Sequence, residues 1–289
     1  RGLDALQATV AHEFNHAIQF GYYQGNDGIW WQEATSTWME EVAYPEVDDY
    51  LQYLSSFLQR PEKALDSGNR FSTDFHIYGA ALFAHFLDQR YDRGLVRAIW
   101  EELGRRTSAS MDHFDYVIGQ QVKGGLDEAI AEFAIWNYFT GHRHRSGFYH
   151  EGDKYPAALL HPISIDPSAP KVAVERTDRV DHLASTYLHL EPGLISGGVH
   201  IDISYLRGQW RRQLILTSRD SVEIKPVGST PISISGWDQY QDVVLVLTQT
   251  DQTGFSYEYS ASITYDPDLL DAPVSLSLLL GQNFPNPFR

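Results

Sequence analysis

Two histidines and a glutamate near the start of the chain could together carry metal chemistry. The segment is His12-Glu13-Phe14-Asn15-His16. On a helix, histidines four residues apart lie on one face about one turn from each other, so both imidazoles can reach a single ion. Glu13 follows the first histidine and is placed to accept a proton from a water molecule at that ion. The segment therefore predicts a metal centre that activates water.

The third ligand decides which kind of metal centre this is. One known pattern places a glycine three residues and a third histidine six residues after the second histidine, but Gln19 and Tyr22 stand there. Another pattern takes a glutamate from a following helix, and sixteen residues separate His16 from Glu33. Two histidines and a glutamate with an open fourth position are a usual catalytic zinc set. We therefore expect zinc bound by His12, His16 and Glu33. The rival third ligands are Asp27, Glu40 and Glu41.

Two helices must position these side chains. Leu3, Leu6, Val10, Phe14 and Ile18 recur at the spacing of one helix face, which predicts a helix through the histidines. Residues 25–28 are rich in helix-breaking residues and end that helix. A second helical pattern starts near Trp30 or Trp31. A tight turn at 25–28 would let the second helix run back beside the first. Glu33 would then approach the two histidines.

The segment around Glu33 carries a family resemblance. It has the form Trp-x-x-Glu-Ala-Thr-x-x-Trp from Trp30 to Trp38, and with the His12–His16 helix it resembles the gluzincin metallopeptidases. It is similar to bacterial proteins described as metalloproteases and, more distantly, to gluzincin aminopeptidases, although the spacing to the glutamate is two residues shorter than in the aminopeptidases. The resemblance covers residues 5 to about 140. It implies zinc-dependent hydrolysis of peptide bonds in a protein or peptide substrate, with Glu13 as general base.

The same resemblance implies a residue that stabilises the oxyanion. Gluzincins use a tyrosine or histidine on a later helix, and the segment His76-Ile77-Tyr78-Gly79 is similar to theirs. Tyr78 is the candidate, with His76 second. Gluzincins also place a β lobe before the zinc helix, and this chain begins too late to contain one. Two alternatives to a protease remain open: a cell-surface binding module that keeps a zinc site without turnover, and an aminopeptidase.

Composition excludes several other kinds of function. The 289 residues include 22 Lys and Arg against 38 Asp and Glu, which gives a net charge of −16 and disfavours nucleic-acid binding. Cysteine is absent, so thiol nucleophiles and cysteine-bound metals are excluded, and a metal must bind nitrogen and oxygen atoms. No apolar run is long enough to predict a membrane span.

The period of the apolar pattern changes along the chain. It is helical to about residue 140 and alternates from about 182, with short strands separated by turns. We therefore expect a multidomain α + β protein, in which a mainly helical gluzincin half (1–145) is followed by an antiparallel β-sandwich (179–272). The proline-rich stretch 146–178 is interpreted as a linker. The run His142-Arg143-His144-Arg145 just before it is interpreted as a solvated turn.

The end of the chain carries a second resemblance. Residues 280–288, Leu-Gly-Gln-Asn-Phe-Pro-Asn-Pro-Phe, are similar to the linker that enters a FlgD-like immunoglobulin domain or a type IX secretion sorting domain in exported bacterial proteins. Residues 273–289 are therefore expected to lead into such a domain. The resemblance implies a protein that is secreted or held at a bacterial cell surface. It also implies that the chain is the middle part of a longer protein.

Overall fold

The helices lie in the first half of the chain. The computed structural model describes residues 2–68, 73–191, 195–219, 221–228 and 230–270. The helices are α1 (Gly2–Tyr22), α2 (Ile29–Ala43), α3 (Leu54–Leu58), α4 (His76–Gly79), α5 (Ala81–Arg90), α6 (Arg93–Leu103), α7 (Met111–Ile118) and α8 (Gly125–Tyr138). In the described ranges, no helix combines the length and apolar character that crossing a membrane requires.

The strands follow in the second half and form two sheets. They are β1 (His161–Ile163), β2 (Ala173–Val180), β3 (Ala184–Leu190), β4 (Gly198–Tyr205), β5 (Trp210–Thr217), β6 (Val222–Pro226), β7 (Ile232–Ile234), β8 (Asp242–Gln249) and β9 (Tyr257–Asp266). One sheet has the order β1-β3-β8-β5-β6, and the other has the order β2-β9-β4-β7. The first sheet is mixed, because β1 runs parallel to β3 while the other pairs are antiparallel.

The prediction of a mainly helical half followed by an antiparallel sandwich is wrong, because the chain forms one compact α+β fold. Residues of the five-stranded sheet, among them Tyr187, Val244 and Val246, belong to the same buried cluster as the helices. The Tyr187 hydroxyl also donates a 2.8 Å hydrogen bond to the carbonyl of Ala134 in α8. The other face of that sheet, including Leu245, packs against the four-stranded sheet. The helices, the mixed sheet and the antiparallel sheet are thus successive layers.

Two of the strands come from the stretch interpreted as a linker, 146–178. Strand β2 pairs with β9 over its whole length, and β1 adds a parallel edge to the mixed sheet. The tail 273–289, with the motif at 280–288, lies outside the described residues.

Candidate metal centre

Helices α1 and α2 pack antiparallel, as the turn at 25–28 predicts. His12 pairs with Glu40, Asn15 with Ser36, and Gln19 with the carbonyl of Gln32, so the partners run in opposite directions along the chain. The turn is anchored by Asp27, which accepts hydrogen bonds from the Tyr23 hydroxyl and the Ala109 backbone amide.

The face of α1 that meets α2 carries small apolar and polar residues and no large apolar side chain. Its buried residues are Ala8, Ala11, Asn15 and Gln19. The apolar stripe that predicts the helix points the other way, with side chains 44–67% exposed: Leu3, Leu6, Val10, Phe14 and Ile18. The helix is confirmed, and its buried polar face brings both histidines against α2.

The structure brings His12, His16 and Glu33 together. The Nε2 atoms of His12 and His16 are 3.1 Å apart, and they lie 3.2 Å and 3.4 Å from the same oxygen, Oε2 of Glu33. These are the three residues expected to bind zinc. Glu33 is buried near the first turn of α2, and the two imidazoles are partly buried.

The spacing of these three atoms fits a tetrahedral metal. With metal–ligand distances of about 2.0–2.1 Å, neighbouring ligand atoms of a tetrahedron are about 3.3–3.4 Å apart. The observed separations of 3.1, 3.2 and 3.4 Å are close to that value. The donor set, two imidazole nitrogens and one carboxylate oxygen, is also one that zinc prefers. The residues present therefore fit a zinc ion.

The Nδ1 atom of His12 is engaged by a buried carboxylate. It lies 2.7 Å from Oε1 of Glu40, a residue that is only 6% exposed. Since an ionised carboxylate can only accept, the imidazole donates its Nδ1 proton, and in the neutral ring the lone pair is then on Nε2. Glu40 thus orients His12 so that its free nitrogen points at His16 and Glu33.

Gln19 performs the same task for His16. Its Nε2 donates to the backbone carbonyl of Gln32 at 3.0 Å, and a carbonyl can only accept, so the amide orientation is fixed. Its Oε1 therefore faces His16 Nδ1 at 2.8 Å as an acceptor, with Ser36 Oγ also 3.1 Å from that nitrogen. His16 donates from Nδ1, and in its neutral form it presents a lone pair on Nε2.

The charges at this site favour a cation. Burial alone would lower the pKa of His12, but the hydrogen bonds and charges of Glu33 and Glu40 raise it to about 9. Burial would raise the pKa of Glu33, yet its hydrogen bonds with His12 and His16 lower it to about 2. Two carboxylates beside two imidazoles in a partly buried site thus stabilise positive charge, whether a proton or a metal ion supplies it.

Tyr78 borders this cluster, and Glu13 follows His12 on α1. The Tyr78 ring centroid lies 6.1 Å from that of His12, and the side chain is partly exposed. Gly79 lets α4 approach α3, because a Cβ there would lie 2.8 Å from both the Tyr53 carbonyl oxygen and the Phe57 Cβ. Glu13 is exposed on α1, adjacent in sequence to His12.

His76, the second candidate for the oxyanion role, is engaged elsewhere. It is fully buried, and its ring nitrogens lie 2.9 Å from the Ala64 carbonyl oxygen and 3.3 Å from the Ser56 carbonyl oxygen. Burial lowers its pKa to about 4, so the imidazole is neutral. His76 therefore packs against α3 and the loop that follows it, and Tyr78 is the residue of this segment that lies beside His12.

One other group of carboxylates in the described part of the chain has metal-like spacing: Glu41, Asp48 and Glu151. Lys154 already forms ion pairs with that group, because its Nζ lies 3.0 Å from Asp48 Oδ2 and 2.6 Å from Glu151 Oε1. Of the rival third ligands, Asp27 anchors the turn and Glu40 holds His12 from behind. Among these candidates, Glu33 is the one whose carboxylate meets both histidines.

Sequence reasoning missed the orienting roles of Glu40 and Gln19. Glu40 lies two helical turns after Glu33 on the same face of α2, and Gln19 lies one turn after His16 on α1. That spacing is the signal that could have identified them. Comparison of the chain with models of protein families and with curated protein sequences finds no match.

Proposed function

We propose that the protein is a zinc-dependent peptidase, with His12, His16 and Glu33 as the metal ligands. The observation that carries the proposal is the convergence of two Nε2 atoms and one carboxylate oxygen at tetrahedral spacing, with the Nδ1 atom of each histidine engaged by Glu40 or Gln19. Zinc bound there would act as a Lewis acid, polarising a carbonyl and lowering the pKa of water.

The residues around the site have separate roles in this proposal. Glu13, exposed next to His12, accepts a proton from the attacking water and passes it to the leaving amine. Tyr78, beside His12, donates a hydrogen bond to the oxygen of the carbonyl as it gains negative charge. Glu40 and Gln19 keep the imidazoles oriented throughout. The substrate class is a protein or peptide, and the expected location, secreted or at a bacterial cell surface, belongs to the same proposal.

The proposal is tested with casein as substrate, with and without a zinc chelator. We expect cleavage that the chelator abolishes. Glu13→Gln should keep its zinc but lose activity by about 10²–10⁴-fold, because the amide cannot take up the proton. Glu191→Gln, a change of the same kind at an exposed position, should leave activity unchanged. Unchanged cleavage in Glu13→Gln would contradict the assigned mechanism.

Either of two other results would indicate a different function. Zinc binding without cleavage of casein or of aminoacyl anilides would identify a zinc-containing binding module. Cleavage of amino-terminal aminoacyl anilides but not of casein would identify an aminopeptidase.

A further inference from the structure

A polar cavity of about 270 Å³, lined by none of the three candidate metal ligands, lies where α8 ends against the mixed sheet. It is formed by the end of α8, the short 3₁₀ helix Gly141–Arg143, and the adjoining ends of β3, β5 and β8. The charged and titratable residues that line it are Tyr138, His142, Arg143, Arg145, His189 and Asp242. It thus includes three residues of the run that the sequence indicates to be a solvated turn.

Arg143 is held rigidly in the wall of this cavity. Its Nε donates to the Tyr138 carbonyl at 3.0 Å, one terminal nitrogen donates to the Ala158 carbonyl at 2.6 Å, and the guanidinium lies over the Tyr138 ring. Within the described residues, no carboxylate lies within ion-pair distance of Arg143, and these bonds use two of its five N–H donors. Burial lowers the pKa of Arg143, because its two hydrogen-bond acceptors are neutral carbonyls, and the charge of Asp242 acts in the opposite direction.

The remaining charges leave the cavity with a positive balance. Asp242 lies 2.8 Å from His189 Nε2, and that hydrogen bond lowers the pKa of Asp242, so this carboxylate is ionised and engaged. Arg145 is exposed and has no ion pair with any residue in the described ranges. Two arginines therefore face one carboxylate, in a chain whose net charge is −16. A concave cationic site on such a protein is opposite in sign to its overall charge.

We propose that this cavity binds a small ligand through a carboxylate or phosphate group. An oxyanion would take up the remaining N–H donors of Arg143 and pair with Arg145, since guanidinium groups bind planar oxyanions through parallel hydrogen bonds. The volume suits a ligand smaller than most drug-sized molecules. The site shares no residue with the proposed zinc ligands, so this proposal does not rest on the proposed peptidase activity.

The test measures binding of inorganic phosphate and of succinate by calorimetry, at an ionic strength held constant with sodium chloride. We expect at least one of the two to bind, and which one does identifies the anionic group. Arg145→Gln should weaken the binding by about tenfold or more, as expected for loss of one charge-assisted hydrogen-bonding partner. Arg97→Gln, the same change at an exposed position on α6, should leave binding unchanged.

Arg143→Lys is the second variant, because it keeps the charge and loses the planar fork. If the Arg143→Lys protein folds, it should also bind the anion more weakly. If it does not fold, Arg145→Gln alone tests the proposal. Absence of binding by both phosphate and succinate would overturn the proposal. An equal loss in Arg97→Gln and Arg145→Gln would also overturn it, because the effect would then come from net charge alone.

Discussion

At the scale of single residues, the proposed metal site depends on two side chains that would not bind the metal themselves. In the proposed site the two histidines supply the ligand atoms, but Glu40 and Gln19 decide which nitrogen of each ring carries the proton. A neutral histidine without such a partner can place its proton on either nitrogen, and one of the two tautomers cannot bind. The buried polar partners are therefore part of the site.

Removing the carboxylate behind His12 should weaken metal binding. We expect Glu40→Ala to reduce the affinity for zinc by about 10–100-fold, the usual effect of losing a residue that orients a ligand. Glu40→Gln should cost less, because an amide oxygen still accepts the Nδ1 proton. The measurement is a competition titration against a chromophoric chelator, with Glu46→Ala at a nearby exposed position as control. Equal affinities in the wild type and Glu40→Ala would contradict the role of Glu40.

At the scale of elements, α1 reverses the usual rule that the apolar face of a helix is the buried one. Periodicity predicts the helix correctly, because the spacing of its apolar residues is helical whichever way they point. It does not show which face is buried. The exposed stripe and the buried polar face appear only once α2 is packed against α1, and that packing involves residues thirteen to twenty-eight positions apart in sequence.

This reversal predicts unequal effects of two substitutions on α1. Phe14→Ser should change the free energy of unfolding by no more than about 0.5 kcal/mol, because the ring is 67% exposed. Gln19→Leu should cost about 1–3 kcal/mol, because it removes the hydrogen bonds that the buried Gln19 amide makes with His16, the Gln32 carbonyl and Thr35. The measurement is urea unfolding with a chelator present, which removes any contribution of bound zinc. A larger loss for Phe14→Ser than for Gln19→Leu would show that the apolar face is the buried one.

At the scale of the whole molecule, the mixed sheet joins the helices to the second sheet. The run Val243-Val244-Leu245-Val246-Leu247 in β8 is apolar at every position, which is typical of a strand buried on both faces. By contrast, β9 alternates between buried and partly exposed residues. The difference was available in the sequence and argues against a separate sandwich, because one face of β8 must be covered by something other than the second sheet.

The shared core contains histidines that should make the fold sensitive to acid. His85 on α5 is 2% exposed, its Nε2 has no hydrogen-bond partner among the described residues, and burial lowers its pKa to about 3. In the unfolded chain its pKa is about 6.5, so below that pH the unfolded state binds a proton that the folded state does not bind. This loss of stability is absent above about pH 6.5 and grows as the pH falls towards 3.

His85→Phe should remove that part of the acid sensitivity. Between pH 7.5 and pH 5 the wild type should lose about 2 kcal/mol more stability than the variant, at about 1.4 kcal/mol for each pH unit below 6.5. The ring of His85 stacks on Tyr50 at 4.8 Å, and a phenyl ring can keep that contact. Urea unfolding at the two pH values measures the difference. Parallel loss of stability in both proteins would mean that His85 is protonated in the folded state.

The sequence predicts local features better than distant pairings. The spacing of His12 and His16 and the turn at 25–28 are local, and the structure confirms the helices that they predict. Glu33 lies beside both histidines and Tyr78 lies beside His12, and the roles assigned to these two residues stay predictions. Strand β2 was missed because its sequence is rich in charged residues and its pairing with β9 joins residues 77 to 91 positions apart. The layered fold was missed for the same reason, because it depends on which distant surface covers each face of β8.

The zinc content of the purified chain tests the central claim most directly. After loading with zinc and dialysis, elemental analysis should find one zinc per chain in the wild type. His150→Gln, a change at an exposed histidine, should also hold one. Glu33→Gln, which keeps the size of the side chain and removes its charge, should lose the metal, because the carboxylate oxygen is the third ligand. A wild-type chain without zinc, or full zinc content in Glu33→Gln, would contradict the account.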